Sequence, residues 1–365
     1  MLDMEEKIIK IEDLGWDDFF QSNWAELGLG DFSVARVIAQ YKGAYKVKNT
    51  EGEYLAKITG KQIFEATSKE DYPAVGDWVV IVLTDGDQAI IHKLLPRKTV
   101  MKRKCNNRDE TQIIATNIDT AFVIEAVDRD YNLNRIERYF AIARDSDIQP
   151  AIILNKIDLV SKEELDMKLV EIKNRMGDVE IISTSTLTKE GLMELEKHII
   201  KRKTYCFLGS SGVGKSSLIN KLLGEEIIKT ESIGEHSGRG KHATTTREMY
   251  FLKEGGIVID NPGVREVGLT DMRTGVDESF DDVAVLARNC KYIDCTHIHE
   301  PECAVLSALR AGEITEDKYK NYINLKKEAE HYELTQLQKK DKQRQFGKFV
   351  KSVNKKMRKS GYKDF

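Results

Sequence analysis

Between residues 31 and 95 apolar and polar side chains alternate in short runs: FSVARVIAQY, AYKVKN, EYLAKITG, DWVVIVLT and QAIIHKLL. Gly43 and the turn-forming stretches NTEGE, PAVGD and TDGD separate them. A period of two marks strands with one buried face, and five such strands in one short segment predict a small closed β-barrel. An OB-fold is the natural candidate, a plain packing barrel the alternative. Pro96 and the basic stretch RKTVMKRKCNNRDE then read as a linker over 96–112. Beyond it the apolar runs TAFVIEAV, PAIILNKID, VEIISTS, TYCFLG and GIVIDNPG interleave with helical segments at 132–145, 161–176, 190–202 and 215–223. That rhythm predicts an α/β domain over 113–270, with a mainly parallel sheet covered on both faces. From 271 to 345 the pattern is helical, and 346–365 form a basic tail. Residues 1–30 read as a helical extension in which WDDFFQSNW supplies docking side chains.

Composition narrows the class. The 365 residues are 41% hydrophobic and 32% charged, as in a soluble globular chain. No run approaches the ~18 apolar residues of a membrane span. The acidic start MLDMEEKIIK is no signal peptide, so a cytoplasmic protein without membrane contact is expected. The net charge of −3 hides an asymmetry, because 339–365 carry eleven Lys/Arg against two Asp. With Phe346, Phe349 and Tyr362 interleaved, that tail reads as an RNA-phosphate surface, against the alternative of a solvated helix face.

The chemistry lies at the ends of the apolar runs. GSSGVGKSS matches a phosphate-binding loop, with Gly209, Ser210, Ser211, Gly212, Val213, Gly214, Lys215, Ser216 and Ser217 between a strand and a helix. Its N–H groups would close around phosphates at a helix N-terminus. Lys215 would neutralise the β- and γ-phosphates, and Ser216 would ligand Mg²⁺. VIDNPG adds the D-x-x-G pattern, Asp260 serving Mg²⁺ and Gly263 sensing the γ-phosphate. NKID, from Asn155 through Lys156 and Ile157 to Asp158, reads guanine. There the aspartate accepts hydrogen bonds from N1–H and the exocyclic amine, Asn155 ties the loop and the Lys156 stem covers the base. Ser183 and Thr184 in IISTST would complete the base pocket. The base reader precedes the phosphate loop, which is the usual GTPase order rotated. A compact domain whose termini lie close together retains its site under such a rotation.

GRGKHATTTRE at 238–248 is the expected switch I, with Thr244, Thr245 and Thr246 as candidate Mg²⁺-binding hydroxyls. Val264 stands where Ras-like enzymes carry a water-orienting Gln, so His242 becomes the candidate for placing water. A phosphate- or RNA-contacting histidine is its alternative reading. Cys290, Cys295, His297 and Cys303 offer three thiolates and one imidazole within fourteen residues, a closed set suited to one structural Zn²⁺, with His299 a rival for the imidazole. Cys105 and Cys206 read as ordinary reduced residues.

Taken in order, these motifs over 31–310 resemble the circularly permuted ribosome small-subunit-dependent GTPase A family. The resemblance implies an N-terminal OB-fold, a permuted GTPase domain and a small helical zinc domain. It also implies a late-acting assembly factor of the 30S subunit, bound to its 16S rRNA, with GTP hydrolysis to GDP stimulated by that particle. His242 matches the family's switch-I histidine, and Cys290, Cys295, His297 and Cys303 match its zinc ligands. The family commonly has Thr after that histidine where this chain has Ala243, so Thr244 is the favoured Mg²⁺ ligand with Thr245 still open. A monomer is expected. The competing reading is an RNA-binding scaffold that senses nucleotide and hydrolyses it incidentally; a P-loop ATPase would leave NKID without a purpose. The rotation also makes DNPGVREVGL run straight into the zinc region, which suggests that loss of the γ-phosphate moves 271–365.

Overall fold

A computed structural model describes residues 9–29, 32–104, 111–128, 131–228, 247–260 and 273–329. The five expected barrel strands are β1 (Ser33–Tyr41), β2 (Ala44–Lys48), β3 (Glu53–Ile58), β4 (Trp78–Thr84) and β5 (Gln88–Leu94). They run in the order β1-β2-β3-β5-β4, and β1 pairs with β4 as well, so the ring closes. β3 and β5 are parallel and the other neighbours antiparallel, the topology of an OB-fold. Short α2 (Gly60–Glu65) follows β3. Inside the ring Ala35, Val37, Val47, Val79, Ile81 and Ile91 form the barrel's own core.

The N-terminal segment is a single turn at Ile11–Leu14 followed by α1 (Asp18–Leu27), whose N-cap Asp17 accepts from Phe19 N. As expected, its aromatic residues dock: Trp16 meets Trp78 edge-on at 4.7 Å between centroids, and Phe20 is buried beside them. The stretch read as a linker holds more order than its composition suggested. β6 (Val100–Lys104) pairs antiparallel with β7 (Thr111–Thr116). Met101 is buried, while Lys102 pairs with Glu70 and Arg103 with Gln112, so both basic residues find partners within an ordered strand pair.

The α/β sheet comprises β8 (Thr120–Ala126), β9 (Gln149–Asn155), β10 (Ile181–Thr184), β11 (Thr204–Leu208), β12 (Glu248–Phe251) and β13 (Ile257–Asp260). Their order is β10-β9-β8-β11-β13-β12, parallel except for β12. β12, too short to stand out in sequence, also bridges to the barrel through Ala39 and Glu248. On one face α3 (Leu133–Asp145) and α4 (Lys162–Met176) pack Ile136, Tyr139, Phe140 and Ile172 on the sheet. On the other, α5 (Leu192–His198) and α6 (Lys215–Leu223) contribute Leu195, Leu218 and Ile219. α5 ends earlier than the expected 202 because Ile199 turns into that core.

Arg36 fastens barrel to sheet. Its guanidinium, 1% exposed, donates to Leu14 O, Gly76 O, Asn117 O and Thr204 Oγ1. Burial lowers its pKa to about 10 against the opposing charges of Asp119, Asp77 and Asp17, leaving it protonated at neutral pH.

The C-terminal module consists of α7 (Arg273–Ser279), α8 (Asp281–Ala287), α9 (Ala304–Ala311) and a helix over 316–329. Val276, Phe280, Val305 and Tyr322 belong to the same core as α3. A Cβ on Gly275 would lie 2.1 Å from Ala141 O, so α7 and α3 are in backbone contact. Ion pairs surround the junction: Arg175 with Glu137 at 2.7 Å, Lys318 with Asp282 at 2.7 Å and Arg138 with Glu328 at 2.8 Å. Among the described residues no helix is long and apolar enough to cross a membrane.

Candidate nucleotide-binding site and metal centre

The motifs meet at the C-terminal ends of β9, β10, β11 and β13, where open parallel sheets bind ligands. After β11 the chain turns through Gly209, Gly212 and Gly214, all at positive φ, before α6 begins at Lys215. Two of these glycines are required by close approach. A Cβ on Gly209 would lie 2.5 Å from Ile124 O, and one on Gly214 would lie 2.3 Å from Asn155 Nδ2. Lys215 Nζ donates to Gly209 O at 2.8 Å and Ser210 O at 2.6 Å, folding the side chain over the loop. Ser216 and Ser217 occupy the first turn of α6, Ser211 and Gly212 are exposed, and Val213 is buried.

Asn155, fully buried, joins the motifs that sequence separates. Its Nδ2 donates to Val213 O at 2.7 Å, and its Oδ1 accepts from Thr184 Oγ1 at 3.1 Å. One side chain thus links the turn over 209–214, the end of β9 and the end of β10. Lys156 follows at φ +65 and pairs with Asp128 at 2.9 Å. Ile157 turns into the core, so of the NKID side chains it faces away from the site. Asp158 is exposed, with Oδ1 receiving the Ser185 hydroxyl.

Ser185 is the partner of Asp158 that the sequence pattern did not single out. It is buried, and its Oγ also accepts from Leu187 N and Thr188 N, which sets the turn. Ser183 instead lies under Gly191, where a Cβ would come 1.8 Å from Ser183 O. The signal was present in IISTST, one residue along from the pair singled out. Asp260 ends β13 opposite Glu248 and is 9% exposed. His242, Thr244, Thr245 and Gly263 lie outside the described residues.

Cys290, Cys295, His297 and Cys303 converge, their ligand atoms all within 4.8 Å of one another. Cys290 Sγ lies 3.8 Å from Cys303 Sγ, and His297 Nδ1 lies 3.5 Å from each. A tetrahedral ion with thiolate bonds of about 2.3 Å and an imidazole bond of about 2.0 Å requires edges of ~3.8 and ~3.5 Å. The residues therefore fit a metal ion. Burial lowers the His297 pKa, favouring the neutral ring that a metal needs. Cys303 Sγ caps α9 by accepting from Leu306 N at 3.4 Å, and Tyr319 Oη donates to His297 O at 2.7 Å. His299 is outside the cluster; its N–H donates to Glu300, whose carboxylate also takes Thr296 N and Ile298 N.

Comparison with known proteins follows the same lines. A family model described as RsgA GTPase matches residues 94–270. The protein named small ribosomal subunit biogenesis GTPase RsgA 2, from Lactiplantibacillus plantarum, is 41% identical over 316 residues, covering 86% of this chain and 89% of that one. Among solved structures, YjeQ from Thermotoga maritima is 26% identical with a TM-score of 0.61, covering 82% of this chain and 98% of that chain. YloQ, described as a circularly permuted GTPase, shares the fold at 22% identity and a TM-score of 0.57, over 82% of this chain and 96% of that chain.

Proposed function

The chain belongs to the RsgA GTPase family, and from that premise we propose that it hydrolyses GTP while bound to the small ribosomal subunit, as a late biogenesis factor contacting 16S rRNA. The observation that carries the nucleotide reading is the Asn155 bond to Val213 O, which binds base reader and phosphate loop into one site. In this reading Asp158 accepts from guanine N1–H and the exocyclic amine, with Ser185 fixing the carboxylate's orientation. Gly209 through Ser217 enclose the phosphates, and Lys215 exchanges its loop carbonyls for β- and γ-phosphate oxygens. Ser216, Asp260 and Thr244 hold Mg²⁺, which when bound offsets charge developing on the phosphates. Gly263 senses the γ-phosphate, and His242 orients water for in-line attack.

The Cys₃His cluster is read as a structural Zn²⁺ site, since four protein ligands leave no open position for catalysis. The cytoplasm is the reading's compartment, and a monomer its working state.

Phosphate release measured with and without purified 30S subunits tests the whole. Strong stimulation is expected, whereas equal rates would favour the nucleotide-sensing scaffold. Asp158→Asn should shift preference from guanosine towards xanthosine nucleotides, and unchanged selectivity would remove NKID from base reading. His242→Ala should cut stimulated turnover with GTP binding nearly retained.

A further inference from the structure

Four strand ends carry the proposed nucleotide site, yet a fifth, that of β8, also reaches it. Asp128 lies just beyond β8, with Oδ2 2.9 Å from Lys156 Nζ. The side chains are 19% and 27% exposed for Lys156 and Asp128, so water screens the pair only partly. Lys156 leaves the backbone at φ +65 between buried Asn155 and buried Ile157, which fixes where its stem starts. Asp128 fixes where it ends.

Asp128 is itself well held. Val127 N donates to Asn155 O at 3.1 Å, stitching this segment to the base-reading strand, and Tyr131 N donates to Asp128 O at 3.1 Å. Behind them Glu125, fully buried, accepts from Asn132 N at 3.0 Å and Arg135 Nε at 3.0 Å. A buried carboxylate with a guanidinium partner is costly to form and rigid once formed. Here it anchors the start of α3 and, with it, the turn that presents Asp128.

We propose that Asp128 is a positioning residue for guanine recognition: it holds the Lys156 ammonium so that the aliphatic stem lies across the base while Asp158 reads the base edge. A lysine has a long flexible stem, and a freed ammonium would sample many positions or turn toward phosphate. Pairing with Asp128 removes both alternatives before nucleotide arrives. The proposal rests on the nucleotide reading above and adds a residue that neither NKID nor the phosphate loop contains.

The test is a double-mutant cycle on the full chain, read as dissociation constants of fluorescently labelled GDP and GTP. Asp128→Asn, which keeps the shape and removes the charge, should weaken both nucleotides roughly three- to tenfold, the scale of an ordinary net hydrogen bond, because water partly screens the pair. Asp128→Glu should recover most of the loss. Asp128→Asn combined with Lys156→Ala should bind no more weakly than Lys156→Ala alone. Competition by inorganic tripolyphosphate, which has no base, should be unaltered by Asp128→Asn. Multiplicative losses in the double variant, wild-type affinity in Asp128→Asn, or an equal loss of tripolyphosphate binding would overturn the proposal. If the wild-type chain itself failed to prefer GDP over ADP, the guanine reading would fall first and the proposal with it.

Discussion

The barrel and the C-terminal module are both attached to the same sheet, and they are held in opposite ways. The barrel closes its own ring of backbone hydrogen bonds and fills it with its own aliphatic residues. It meets the sheet through the Ala39–Glu248 strand bridge, the buried Arg36, Ile38 and Val75 at the edge of the sheet's core, and Lys48 over the Phe251 ring. The C-terminal module has short helices, shares its core with α3 and gathers its irregular stretch around a Cys₃His cluster. A small unit whose strands pair internally needs little from outside. One built from short helices and turns needs a neighbour's core and, where turns dominate, a metal.

Metal removal should separate the two most sharply. Structural zinc sites contribute on the order of 10 kcal/mol to local folding. Chelation, or Cys295→Ser, should abolish hydrogen-exchange protection across 290–311 while barrel amides keep theirs. Parallel loss in the barrel would break the comparison. Next in size is Glu137→Ala, which strips Arg175 of a carboxylate 1% exposed and should cost about 3–5 kcal/mol. Urea unfolding should show the loss, with proteolysis increasing first in the C-terminal module.

Arg36→Met should cost about 2–3 kcal/mol, since buried carbonyl acceptors would lose their donor. The melting temperature should fall with metal content unchanged; released metal would show the two attachments to be coupled. The smallest effect is expected for Glu300→Gln, whose carboxylate collects the backbone N–H groups around His297. Metal transfer to a chelator should quicken by roughly tenfold at most, with global stability little altered.

Legibility in the sequence followed the range of the interactions. All five barrel strands were readable because alternation is local, and the Cys₃His cluster because its spacing is local. β6 was hidden by basic side chains that find their partners only across a hairpin and in the barrel. Arg36 and Arg175 carried no signal, since each acts through groups brought together from distant parts of the chain. Around NKID the residue types were legible but not their facing: Ile157 turns inward, and Ser185 rather than Ser183 meets Asp158. Which way a side chain points after a strand ends depends on the turn, and here Gly191 and the Ser185 hydroxyl set that turn.

The rotated strand order also fixes an order of birth. Synthesis proceeds from the N-terminus, so the barrel is complete while the sheet is still missing most of its strands. β8, β9 and β10 emerge next, but β8 is a central strand whose second neighbour, β11, is made only after α5. Until Thr204–Leu208 arrive, an apolar strand edge stands unpaired and open to wrong partners. In the conventional order the phosphate-loop strand would already be waiting. The nascent chain of this protein must instead hold β8 as a temporary edge until β11 is made, with β12 and β13 completing the sheet afterwards.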